Sequence, residues 1–426
     1  MTRGGTTSRP AVTLTGAESG TRTPRVRLTI LFLTVFVDLV GFGIVLPLLP
    51  FYADRFGASG LVVGMLVSVY SLAQLFMAPI WGRMSDRFGR RPILVVGLLG
   101  SAVSYLVFAY ARSVPVLFAS RILAGMGGAT VPVAQAYIAD ITPPGRRAGN
   151  MGLIGAAFGL GFVFGPAIGG ILAPVSLAAP GLAAAALCLT NGLLAFFLLP
   201  ESLTGGEREA RETLRRGVHA SDLRRALASR ELVRILALHF IFTVAFAAMQ
   251  PTFPLFGAER FGLAERTVGY LFAFLGLVSA VMQGGLVRRL VPRLGEVRLI
   301  RMCGVPFIAG LAFIALAPGP GWLLVALALL AFGFGGTLPS VYSLISQVAP
   351  EALQGGVLGV GQSVGSAARI VGPVLAGWAF DALGIASPYF LGAGVATCAL
   401  LLAFFVQQPV RPELPPGRET AVPLGP

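Results

Sequence analysis

Apolar residues fall into twelve runs along the chain, near 28–50, 61–81, 92–111, 115–138, 149–172, 182–199, 232–254, 266–287, 299–318, 321–345, 356–379 and 387–407. Each holds about 20 residues, enough for a helix rising 1.5 Å per residue to cross a hydrocarbon layer of roughly 30 Å. The pattern predicts an all-α membrane protein with twelve transmembrane helices. Charge interrupts three runs: Asp38 in the first, Arg121 in the fourth and Arg369 in the eleventh. Polar sequence lies outside the runs. Residues 1–26, rich in Thr, Gly and Arg, read as a disordered tail without the pattern of a cleaved signal peptide, 201–231 as a linker after the sixth span, and 409–426 as a second tail.

Composition agrees with a bilayer setting. Of 426 residues 55% are apolar and only 12% charged, against about 25% charged in soluble domains, and the mean hydropathy is +0.82. The formal charge of +14 would suggest a nucleic-acid partner in a soluble protein, so its distribution must decide. Twelve spans place both termini on one side. With the N-terminus inside, the inner segments hold 26 Arg against 13 acidic residues, whereas the outer loops hold Arg55, Arg112, Arg260 and Arg266 against Asp54, Glu259, Glu265 and Asp381. This is the positive-inside pattern. It predicts a multi-pass protein of the inner (plasma) membrane with both termini cytoplasmic, partnered by lipid and not by nucleic acid. Cys188, Cys303 and Cys398 are far apart within apolar runs and read as inert thiols.

The chain also repeats itself. Ala53, Arg55, Phe56 and Gly57 return as Ala258, Arg260, Phe261 and Gly262, and Gly64 as Gly269, 205 positions later. Gly89 matches Gly295 at 206, while Gly128, Thr130, Pro132, Pro143, Gly149, Gly165, Pro166 and Gly170 match residues 207 positions on. The expected architecture is two pseudo-symmetric six-helix bundles, 27–200 and 232–408, joined by the 201–231 linker and able to rock about a central site.

Several segments carry candidate chemistry. Between spans two and three, Gly82-Arg-Met-Ser-Asp86-Arg87-Phe-Gly89-Arg90-Arg91-Pro92 sets one acidic residue among four arginines and two glycines in an inner loop. Asp38 is eleven residues past Arg27, about 16 Å into the apolar layer. An ionised carboxyl at that depth costs on the order of 2.5–3.5 kcal/mol, so it holds a proton or faces a cation. Arg121, entering from the other side in the run Arg121-Ile-Leu-Ala-Gly125, is at a depth its side chain can bridge. The fifth span places Gly161, Gly165, Pro166, Gly169 and Gly170 at near-helical spacing, a surface that lets helices approach closely. Arg369 is deep in the eleventh span, where it serves function or snorkels outward. Gln250, Gln283, Gln347, Gln362 and Tyr342 could hydrogen-bond a ligand; His239 and His219 lack metal-ligand neighbours at useful spacing.

The loop from Gly82 to Arg91 resembles the signature G-x-x-x-D-R-x-G-R-R of the major facilitator superfamily, and its second-half copy keeps Gly295 but has Pro292 in place of Asp86. The resemblance implies a cytoplasmic latch of Gly82, Asp86, Arg87, Gly89, Arg90 and Arg91, with Asp86 facing the start of the eleventh helix near Gly355 and Gly356, and Arg90 paired with Asp140. The D-x-x-G of Asp38 and the R-x-x-x-G of Arg121 resemble motifs of its drug:proton antiporters, implying that Arg121 tunes Asp38 as a proton carrier. Gly165-Pro166-x-x-Gly169-Gly170 is similar to the block found in exporters. Across spans one to twelve the chain looks most like the tetracycline and multidrug exporters, though Ser104, Ser279 and an acid-free 299–318 replace polar residues typical of the tetracycline group. The expected activity is export of a lipophilic, drug-like molecule, cationic or zwitterionic, in exchange for protons, with no cofactor or metal. The rival is a transporter of sugars or organic anions in which Arg121 and Arg369 hold the substrate. A ligand sensor lacks an output domain, and an enzyme lacks a phosphate loop or nucleophile–base pair.

Overall fold

The computed structural model describes residues 24–128, 130–142, 147–203, 228–350 and 353–408. Nearly all of the 1–26 tail, most of the 201–231 linker with His219, and the 409–426 tail lie outside the described residues. No strand occurs among the described residues. Helices α1 (Pro24–Val45) and α2 (Leu49–Arg55) form the first span, α3 (Gly60–Phe88) the second and α4 (Arg90–Ala109) the third. The fourth is α5 (Val114–Gly127) with α6 (Thr130–Ile141), the fifth α7 (Arg147–Leu172) and the sixth α8 (Ala179–Leu198). The second set opens with α9 (Arg230–Phe261). Its next span joins α10 (Glu265–Val281), a π turn (Met282–Leu286) and α11 (Val287–Leu294), followed by α12 (Glu296–Leu316), α13 (Trp322–Val348), α14 (Gln354–Leu383) and α15 (Ser387–Ala403).

Ten of these twelve spans are long and apolar enough to cross a membrane on those grounds alone. Helix α14 has 30 residues but is diluted by Gln362, Ser363, Ser366 and Arg369, and α15 is a 17-residue apolar helix. Their outward faces, including Phe76, Val103, Phe197, Val305, Leu375 and Leu401, are exposed apolar surface suited to lipid.

The segment 82–91, expected as a loop, is largely helical. Helix α3 continues to Phe88, Gly89 makes the turn alone at φ 106°, and α4 begins at Arg90. A positive φ costs glycine nothing, so the chain reverses in one residue. Gly295 does the same between α11 and α12, at φ 76°. Helix α9 likewise outruns its expected end, passing through Pro251 and Pro254 to the left-handed Gly262.

In the first set α1 packs on α7 and α8, and α4 on α5 and α8; in the second α9 packs on α14 and α15, and α12 on α13 and α15. The two sets meet through α3 against α14 and α7 against α10. These contacts are asymmetric along the membrane normal. On the face away from the described chain ends, a methyl group on Gly64 would lie 2.1 Å from the Pro373 carbonyl oxygen, and one on Gly377 would lie 2.2 Å from that of Gly60. On the face bearing both ends, the terminal face, methyl groups on Gly82, Gly152, Gly284, Gly355 and Gly359 would meet nothing within 4 Å. Among the described residues the halves are closed at one face and leave these glycines uncovered at the other.

Candidate functional site

Asp38 is inside the first bundle, beside the hydroxyls of Ser101 on α4 and Thr130 on α6, with the Cys188 thiol of α8 at 3.9 Å. Its own helix is fixed by Asn191, whose Nδ2 donates to the Thr34 carbonyl at 2.7 Å. Arg121 is buried on α5, where Nε donates to Ser120 Oγ at 3.3 Å and the guanidinium lies 5.2 Å over the Phe108 ring. Its Nη2 has no partner among the described residues. No ion pair joins Asp38 to Arg121 among the described residues, contrary to the close pairing expected from depth alone: the guanidinium packs on an aromatic face, and the carboxyl is among neutral groups.

Tyr70 of α3, which sequence reasoning missed, connects these charges to the second bundle. Its hydroxyl is within electrostatic reach of Asp38, Arg121 and Arg369, and Gln74 Nε2 donates to it at 3.5 Å. Its ring packs 5.2 Å from Phe42, which packs 6.2 Å from Phe162. Across the interface, Arg369 donates from Nη2 to Ser366 Oγ at 3.0 Å. Ser366 is one turn nearer the terminal face, so the arginine reaches inward and does not snorkel to the opposite surface. Tyr342 of α13 is within its electrostatic reach, and the Tyr342 ring is 5.0 Å from His239 of α9. Gln250 is half-buried on α9, eleven residues after His239.

At the terminal face Arg90 sits between two carboxylates, Asp86 at 2.6 Å and Asp140 at 3.1 Å, and its Nη1 donates to Ser85 Oγ at 2.5 Å. Glu201 accepts from the first amides of α4, at 2.8 Å from Arg90 N and 3.2 Å from Arg91 N. The Arg91 guanidinium turns to the Phe196 carbonyl, and Arg87 lies over the Phe88 ring. A methyl group on Gly355, expected beside Asp86, would meet nothing within 4 Å.

The second bundle holds a counterpart that its residue types conceal. Glu296, 206 positions after Arg90, accepts from Ser343 Oγ at 3.0 Å, Gln347 Nε2 at 2.6 Å and Gln408 Nε2 at 2.7 Å. Gln347 and Gln408 are each 207 positions after Asp140 and Glu201, and Gln408 Oε1 caps Val297 N at 3.0 Å as Glu201 caps α4. A basic centre with acidic partners has become an acidic centre with amide partners. The signal was present in the repeat offset but not in residue identity.

The small residues of α7 seat it on α1 around Asp38. Methyl groups on Gly161, Gly165 and Gly169 would lie 2.7 Å from Leu39 Cβ, 2.6 Å from Gly43 Cα and 2.5 Å from the Ile44 oxygen. Gly170 turns the other way, onto Gly269 and Arg266 of α10. At the closed face Asp381, at the end of α14, accepts from Gly60 N and Leu61 N at the start of α3, both at 2.8 Å. Arg55 and Glu265 add an ion pair at 2.5 Å.

Residues 31–373 match the family described as the Major Facilitator Superfamily. The chain belongs to this superfamily. Among relatives, Tetracycline resistance protein, class C, of Escherichia coli is 34% identical over 345 residues, which cover 80% of this chain and 86% of that protein. Multidrug resistance protein 2 of Bacillus subtilis (strain 168) is 33% identical over 373 residues, covering 86% and 91%. The crystal structure of the human organic anion transporter MFSD10 (TETRAN) aligns with a TM-score of 0.69 and 26% identity, over 90% of this chain and 100% of that one. This superfamily member is thus a multi-pass membrane transporter of twelve helices in two pseudo-symmetric bundles.

Proposed function

We propose that the protein exports a lipophilic, drug-like molecule across the inner membrane in exchange for protons, by alternating access, with Asp38 as the proton carrier. The observation that carries this reading is the Asp38 carboxyl itself: it is inside a bundle, without a basic partner among the described residues, on a helix against which α7 is closely packed. A carboxyl kept there against an insertion cost of about 2.5–3.5 kcal/mol is suited to taking up a proton from one side and giving it up to the other. Relatives named for tetracycline and multidrug resistance support export. The preponderance of Arg on the terminal face supports a cytoplasmic location for that face. In that orientation the conformation is open to the cytoplasm and closed outside.

Helices α3 and α14 supply the switch. Outside, the carboxylate ending α14 caps the start of α3. Inside, Asp86 near the end of α3 would cap the start of α14 when the halves close there, a contact favoured by the helix dipole. One cap would be exchanged for the other in each half-cycle, while Arg90 and Asp140 hold the end of α3 to its own bundle. The test is uptake of a fluorescent lipophilic drug into inverted vesicles with an imposed pH gradient, acid inside. Accumulation that nigericin abolishes is expected; accumulation indifferent to nigericin would refute proton exchange.

A further inference from the structure

The cluster on the second bundle carries an inference that rests on the transport reading and specifies the cargo. A guanidinium offers five N–H donors, and among the described residues Arg369 spends one, on Ser366 Oγ. Among the described residues no carboxylate compensates it: the groups within its electrostatic reach are the hydroxyls of Tyr342 and Tyr70 and the ring of His239. His239 is buried, its Nδ1 is 3.4 Å from Thr243 Oγ1, and its ring is also in hydrogen-bonding reach of the Gly361 backbone, although Nε2 makes no well-formed hydrogen bond among the described residues. In the tautomer whose Nδ1 accepts from the threonine hydroxyl, Nε2 carries the proton and is a donor. Both nitrogens border the same small residue. One point, where a methyl group on Gly365 would be, is 2.9 Å from His239 Nε2 and 3.4 Å from Arg369 Nη1. The imidazole and the guanidinium thus lie on either side of a residue without a side chain. An unpaired buried donor is costly, more so when charged, and so is an arginine in a bilayer core. An arriving anion would offset both.

We infer that Arg369, Ser366, His239 and Tyr342 form a subsite for an anionic group of the transported molecule, a carboxylate or similar oxyanion, with the aromatic rings of Phe42, Tyr70 and Phe162 receiving its lipophilic part. The cargo is then an amphipathic acid or a zwitterion, not a simple cation. Neither Asp38 nor proton movement enters this step.

The test is equilibrium binding of 2-naphthylacetate and its neutral amide to the full chain in detergent, at fixed ionic strength, followed by tryptophan fluorescence and thermal shift. The acid is expected to bind at least tenfold more tightly than the amide. Arg369→Gln should remove that preference while leaving amide affinity within about twofold, and Arg369→Lys should restore part of it. Equal response to acid and amide in the unmodified chain, including no response to either, would overturn the subsite, and needs no variant to fold. So would an unchanged preference in Arg369→Gln, or displacement of the acid by chloride or sulfate at equal concentration, which would mark a site for inorganic anions. Because the assay involves no transport, its failure leaves proton exchange standing, and loss of proton exchange leaves the subsite standing.

Discussion

Replacing Gly64 with alanine should open the closed face. In the observed conformation its new methyl group would lie 2.1 Å from the Pro373 carbonyl oxygen, 1.3 Å short of the 3.4 Å at which ordinary contact begins. The obstacle is backbone on the facing helix, so no rotamer change relieves it, and α3 and α14 must separate by about an ångström or more along the line where the bundles touch. Overpacking of this kind costs about 1–3 kcal/mol, which corresponds to roughly a 5–150-fold shift in a two-state population. The alternative state, with the Asp381 caps broken and the outer ends apart, has no such clash. Double electron–electron resonance between spin labels at Asp54→Cys and Ala382→Cys, both exposed at this face, in a chain with its native cysteines replaced by alanine, reads the population directly. A longer-distance component should appear or grow in Gly64→Ala. Gly394→Ala, where a methyl group meets nothing within 4 Å, should leave the distribution unchanged. A folded Gly64→Ala chain with the unmodified distribution would refute the claim that this approach holds the face shut.

Other perturbations separate stability from switching. Asp140→Ala leaves the Arg90 side chain, 3% exposed, without one of its carboxylates, a loss that costs about 3–5 kcal/mol when a buried pair is broken; thermal unfolding in detergent should fall accordingly, and an unchanged midpoint would count against a structural role. Asp86→Asn should slow drug export while ligand affinity stays within a few-fold, since its proposed partner is a helix end and not the cargo; large affinity loss with normal turnover would contradict this. Gly165→Val, which drives a branched side chain toward Gly43, should suppress turnover far more than surface expression, and a variant that transports normally would show that the α1–α7 approach is dispensable.

The spans were legible in the sequence because a bilayer imposes a length on apolar runs irrespective of packing detail. Their ends were less so. Polar residues at 82–88 read as loop, yet water at the membrane boundary lets a charged helix such as the end of α3 continue, and only the positive φ of Gly89 stops it. The ion pair of Arg90 with Asp140 was expected from resemblance and lies at 3.1 Å. Asp38 and Arg121 were matched by depth, a coordinate that ignores rotation about the helix axis, and that rotation puts the guanidinium on Phe108. Glu296 and Gln408 escaped notice, and Gln347 was read only as a ligand contact, because repeat comparison weighs identity, whereas the fold kept positions and exchanged the charges. Tyr70, one tyrosine in an apolar run, gave no signal until its neighbours in other spans were known.

Asp38 as proton carrier remains the claim on which the account turns. Its most direct test is proton release on drug addition, measured with a pH dye on purified protein and in proteoliposomes, for the unmodified chain and for Asp38→Asn. Release by the unmodified chain and its absence in Asp38→Asn, with drug binding retained, is the predicted result. Undiminished proton release and coupled export by Asp38→Asn would contradict it.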